Sequence, residues 1–146
     1  MSPTRQPGCE FCEIVARGEP ARVVLRTSEV VAFFPDEPAT MGHTLLIPTR
    51  HFQDIWALDE RTAGWLAHAS LRLARAIRKA LVPEGLNIIQ SNGEAASQTV
   101  QHVHVHLVPR WSGDAMGPIW PSDTTWTAAS KNRTMRMIRG ALEEQP

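Results

Sequence analysis

Histidine stands at every second position of Gln101-His102-Val103-His104-Val105-His106-Leu107-Val108, with valine between. Alternation of this kind, rich in β-branched residues, predicts a half-buried strand. Successive side chains on a strand point to opposite faces, so His102, His104 and His106 share one face, roughly 6.5–7 Å apart. One small anion can then meet more than one imidazole. A neutral imidazole is a nucleophile and general base near pH 7, and its N–H or its protonated form donates to phosphate. A nucleophilic histidine needs one ring nitrogen free and the other fixed by an acceptor. Such a row suits attack on a phosphoryl group through a covalent phospho-histidine.

Donors for the anion stand just upstream. Asn92-Gly93 can turn an amide towards the row, and Ser97, Gln98 and Thr99 offer hydroxyls, a carboxamide and backbone N–H groups. The chain contains neither G-x-x-x-x-G-K-[ST] nor G-x-G-x-x-G, so a P-loop or dinucleotide-binding reading is excluded. A second constellation is Cys9-Glu10-Phe11-Cys12. In a reducing compartment this spacing points to metal binding or redox work more than to a disulfide. Two cysteines and two histidines would close a tetrahedral zinc site. Two rivals follow: catalytic zinc held by all three row histidines, and a zinc-stabilised binding module that turns nothing over.

These residues need a scaffold, and the pattern predicts one α+β domain. Phe11–Arg17 reads as a short helix stopped by Gly18 and Pro20. Val23–Leu25 and Val30–Phe34 read as a hairpin about Thr27-Ser28-Glu29, Pro35-Asp36-Glu37-Pro38 as a loop, and His43–Ile47 as a third strand ended by Pro48. Asp59 is a good N-cap for a long amphipathic helix carrying Leu66, Ala69, Leu73, Ile77 and Leu81, with Pro83 marking its end. Leu86–Gln90 is a fourth strand, Asn92–Ser97 a loop, and the histidine row the fifth strand. Hairpins joined by one long helix favour a five-stranded antiparallel sheet with helices on one face. A tail helix is predicted around Met135, Ile138 and Leu142, expected to cover a sheet edge or to pack on a partner subunit.

The 146 residues suit one domain, with 1–8 an extended N-terminus, 9–121 the core and 122–146 an extension. Fifteen basic and fifteen acidic residues give zero formal net charge, which argues against a nucleic-acid partner. Met1–Gly8 has no apolar stretch of a secretory signal, and nothing is long and apolar enough to span a membrane. The expectation is a cytoplasmic protein.

The row His102-Val103-His104-Val105-His106-Leu107-Val108 resembles the signature of the histidine triad (HIT) superfamily. Cys9-Glu10-Phe11-Cys12, Gly42-His43-Thr44-Leu45-Leu46-Ile47-Pro48-Thr49-Arg50-His51, Leu86–Gly93 and Gln98-Thr99-Val100 are similar to further motifs of that family. The resemblance implies a HIT-like α+β fold, a homodimer, and chemistry at the α-phosphate of a purine nucleotide conjugate. It implies His104 as the nucleophile carrying a nucleotide adduct, one ring nitrogen held by a backbone carbonyl, with His106 and Thr99 beside it in the catalytic set. Asn92, Gln98, Thr99 and His106 match positions that contact phosphate or ribose. Phe11, Ile14 and Phe33 match positions that enclose the base, and His43 a position near the triad. By the same resemblance Cys9, Cys12, His51 and His102 would hold a structural zinc. The implied substrate is a nucleoside phosphoramidate, with a dinucleoside polyphosphate as the rival. The chain departs from the family pattern at Phe34, which Pro35 follows before Asp36, and at Ala95-Ala96-Ser97, where glycines are usual.

Overall fold

The computed structural model describes residues 5–17 and 21–146. The predicted helix stop at Gly18 and Pro20 lies outside the described residues, as do residues 1–4. The elements in chain order are α1 (Glu10–Arg17), β1 (Arg22–Arg26), β2 (Val30–Phe34), β3 (Thr44–Pro48), α2 (Glu60–Leu81), β4 (Gly85–Gln90), β5 (Val105–Arg110) and α3 (Ala128–Glu143). The five strands form one antiparallel sheet in the order β1-β2-β3-β5-β4. The α+β expectation holds.

Local chemistry fixes the ends of these elements. The β1–β2 turn is tied by Thr27, whose hydroxyl accepts from the backbone N–H of Glu29 and Val30. Asp59 caps α2 by accepting from Thr62 N–H at 2.7 Å. At Gly42, just ahead of β3, φ is +95°, a left-handed backbone that favours glycine, and a Cβ there would also press on the Leu81 side chain at the end of α2.

The sheet divides the interior in two. On one face Leu66, Ala69, Leu73 and Ile77 of α2 pack against Val30, Ala32, Leu46, Val103, Val105 and Leu107. On the other, Phe11 of α1 packs against Val31, Phe33, Leu45 and Ile47, with Ile14 and Val100 at its margin. Each face buries apolar surface in proportion to its area, so both helices are held by their stripes rather than by propensity.

Three expectations need correcting. The helices do not share one face of the sheet: α2 covers one face and the short α1 the other. The histidine row is not a strand throughout: β5 pairing begins at Val105, opposite Leu46 and Gln90. Upstream, the β3 edge it would join ends in Pro48, which has no N–H to give. Pro48 C=O instead faces the His102 ring, and Val103 N–H bonds Phe52 C=O at 2.7 Å. The alternation survives the loss of the ladder, because Val103 and Val105 still enter the α2 core while the histidines face α1. The tail helix forms as Ala128–Glu143 but buries none of its residues, so it does not cover a sheet edge. Met135, Ile138 and Leu142 remain exposed on it.

Candidate active site and metal centre

Backbone groups set the proton positions of the three rings, two through carbonyls and the third through an N–H relayed by His43. His102 Nε2 is 3.0 Å from Pro48 C=O, so Nε2 carries the proton and Nδ1 presents a lone pair. His104 Nδ1 is 2.7 Å from His102 C=O, so here Nδ1 carries the proton and Nε2 presents the lone pair. For His106 the chain is longer. Ala39 N–H donates to His43 Nδ1 at 3.0 Å, which puts the His43 proton on Nε2. His43 Nε2–H then donates to His106 Nδ1 at 2.9 Å, leaving the His106 proton on Nε2. The row thus offers a ligand lone pair, a nucleophile lone pair and an N–H donor in sequence.

The rings sit in a low-polarity seat. His102 is fully buried and His104 is 4% exposed. Phe11 meets His104 edge-on with ring centroids 5.1 Å apart, and His104 meets His106 at 5.0 Å. Burial lowers the basicity of His43 and His104. Burial and the adjacent His104 and His43 push His106 down to about 4. At neutral pH these imidazoles are uncharged, the form a nucleophile needs.

The sign of the pH effect on stability follows. His106 has a folded pKa of about 4 against about 6.5 unfolded, so the unfolded chain binds more protons between those values. Its contribution is present above about pH 6.5 and is lost as pH falls towards 4, on the order of a few kcal/mol. The urea midpoint is therefore expected to drop between pH 7 and pH 5, and His106→Asn to flatten that slope. An equal slope in the variant would remove His106 as its source.

His104 and His106 form the end of a cleft of about 620 Å³ that also takes in Phe11, Ile14, Phe33, His43 and Thr99. Seven of the residues singled out from sequence therefore meet in one place. Asn92 and Gln98 do not line this cleft. Asn92 Oδ1 accepts from Ile55 N–H and from Gln90 Nε2, and its Nδ2 donates to Gln90 Oε1. Gln98 is buried, with Oε1 accepting from Gly93 N–H and Nε2 donating to Gln53 and Val100 C=O. Both carboxamides are engaged within the loop before the triad. Ser97, standing in the segment where glycine is usual, adopts φ +71° there.

Apart from Asp36, which the resemblance had already drawn attention to, the sequence reading missed the cleft's acidic and basic side chains Glu10, Glu13, Arg17 and Glu37. The signal was present. Glu10, Glu13, Ile14 and Arg17 follow i, i+3, i+4, i+7 and so share one face of α1.

Beyond the cleft's inner wall, Cys9, Cys12, His51 and His102 bring one ligand atom each to within 4.8 Å of one another. Cys9 Sγ and Cys12 Sγ stand 3.5 and 3.6 Å from His102 Nδ1, and Cys12 Sγ stands 3.4 Å from His51 Nδ1. A tetrahedron with Zn–S of about 2.3 Å and Zn–N of about 2.05 Å has S···N edges of about 3.5 Å. The four atoms fit such a metal. Burial raises the pKa of the Cys12 thiol, so a thiolate there needs a compensating cation. His104 and His106 are outside this group, so the arrangement does not support a metal held by the whole row.

The HIT domain family matches residues 16–113. The chain belongs to the HIT family. A solved structure of a HIT family member from Bacillus subtilis is 34% identical and superposes with a TM-score of 0.84 over 91% of this chain and 96% of that one. A zinc-bound histidine triad family protein from Mycobacterium smegmatis is 32% identical, with a TM-score of 0.71 over 92% and 97% of the two chains. An adenosine 5'-monophosphoramidase from Schizosaccharomyces pombe is 34% identical over 115 residues, 78% of this chain and 84% of that protein. No described helix of this HIT protein is long and apolar enough to cross a membrane.

Proposed function

We propose that this HIT protein hydrolyses purine nucleoside phosphoramidates or related nucleotide conjugates through a His104–nucleotide intermediate. The observation that carries the reading is the His104 ring, which is buried, has Nδ1–H fixed on a backbone carbonyl, and lines a nucleotide-sized cleft with an Nε2 that has no hydrogen-bond partner among the described residues. Phe11, Ile14 and Phe33 enclose the base. His106 Nε2–H and the exposed Thr99 hydroxyl receive the phosphate oxygens. Nε2 of His104 attacks phosphorus as the P–N bond breaks, and the departing amine takes a proton from solvent. Water then attacks the adduct, releasing the nucleoside monophosphate and restoring neutral His104. In-line positioning and donors aimed at the developing charge supply most of the acceleration. The 34% identity to an adenosine 5'-monophosphoramidase supports the substrate class.

Zinc is assigned to Cys9, Cys12, His51 and His102, supported by their geometry and by the zinc-bound relative. When bound, the metal is a closed four-ligand structural centre. A reducing cytoplasm would keep both thiols available for it. A homodimer is supported by the unpaired edge of β4, beside an apolar groove formed by Leu58, Leu66, Leu71 and Ile88.

The test is a rapid acid or base quench with labelled adenosine phosphoramidate, followed by peptide mapping. A nucleotide bound to His104 during the steady state is expected. Nucleotide binding with no turnover of a phosphoramidate or a dinucleoside polyphosphate would instead establish a sensor.

A further inference from the structure

The charge of the cleft has no role in the reaction above. Its five ionised lining residues are Glu10, Glu13, Arg17, Asp36 and Glu37. Arg17 Nε lies 3.3 Å from Glu13 Oε2, so the guanidinium is engaged by a carboxylate of its own helix. Glu10, Asp36 and Glu37 are exposed and have no ion-pair partner among the described residues. His104 lines the same cleft; it is 4% exposed, its Nδ1 is held by His102 C=O, and its Nε2 has no hydrogen-bond partner among the described residues.

A single phosphoryl group can be held there by neutral donors. Each additional phosphate enters a field of like charge. Two unit charges about 6 Å apart in an effective dielectric of about 40 change an equilibrium by roughly tenfold, and salt screening reduces that to a few-fold. A positive group on the substrate gains by the same amount.

We propose, on the strength of the function assigned above, that the cleft selects conjugates with one ionised phosphate and a cationic, amine-bearing leaving group, and that Glu10 is the residue that reads that positive charge. Glu10 directly precedes Phe11, the ring that touches His104, whereas Asp36 and Glu37 lie on the loop that follows Phe33 and Phe34 at the base end.

Three substrates test this: AMP joined through a P–N bond to 1,4-diaminobutane, AMP joined likewise to butylamine, and diadenosine tetraphosphate with and without Mg²⁺. The zinc-loaded wild type is expected to show a kcat/KM about fivefold higher for the diamine conjugate than for the butylamine conjugate, with the polyphosphate slowest. Glu10→Gln, its metal content verified, is expected to bring the diamine-to-butylamine ratio near one and to speed the polyphosphate. Raising salt from about 20 to about 500 mM should shrink the same ratio in the wild type, a readout that needs no variant. Equal turnover of the two amine conjugates, unmoved by salt or by Glu10→Gln, or a polyphosphate cleaved as fast as either, overturns this inference and leaves the hydrolase assignment standing. No turnover of any of the three overturns both.

Discussion

His104→Ala is expected to lose at least about 10⁴-fold in turnover of an adenosine phosphoramidate while keeping its metal and its fold. The size follows from removing the atom that forms the covalent bond, with the cleft and its donors left to give only residual acceleration. The fold should survive because the ring opens on the cleft on one side, so the vacated space is filled by solvent rather than left as a closed cavity. Its packing partners are Phe11 and His106, neither of which depends on it for a hydrogen bond. The metal should remain because the His102 C=O that His104 engages is backbone, while the ligand atom of His102 is Nδ1. His104→Asn is the stricter variant, since it can still donate to that carbonyl but has no nucleophilic nitrogen. Turnover by either variant at wild-type rate would end the covalent reading, and loss of metal from both would revive a zinc held by the triad.

The parts of this site that the sequence made legible were those that depend on side-chain type and local period. Alternation placed His102, His104 and His106 on one face even where the strand itself fails, because the extended backbone, not the ladder, sets the direction of side chains. Periodicity gave α2 and its Asp59 cap, since the signal there is repeated over many turns. What escaped was decided by partners distant in the chain. Nothing local to His106 reveals that Ala39 N–H, acting through His43, fixes its proton on Nε2. Nothing local to Gln98 reveals that Gln53 C=O and Gly93 N–H use up its carboxamide. The start of β5 was misjudged because a proline on a neighbouring strand, Pro48, ends the pairing. The amphipathic pattern of α3 predicts the helix that forms; of its two expected uses, covering a sheet edge fails and packing on a partner subunit stays untested, for a stripe of Met135, Ile138 and Leu142 shows that an apolar face exists but not what meets it.

Removing the metal is expected to weaken nucleotide binding as well as the fold, through α1. This helix has eight residues, too few to persist alone in water, so its place depends on what holds its ends. Phe11 and Ile14 anchor it in the apolar cluster, and Arg26 donates to Ile14 and Val15 C=O at its far end. At its near end stand Cys9 and Cys12, whose sulfurs gather with the rings of His51, just after β3, and His102, just before β5, so a metal held by the four would tie the helix there. Cys12→Ser, or chelation of the wild type, is expected to abolish stoichiometric zinc. The thermal midpoint should fall by roughly 10 °C for a loss on the order of 3 kcal/mol. With α1 loosened, Phe11 no longer walls the base, so KM for the conjugate should rise more than kcat falls. That split separates a positioning metal from a catalytic one, whose removal would strike kcat first. A Cys12→Ser protein that retains both its melting midpoint and a full equivalent of zinc would show that these four residues do not hold the metal.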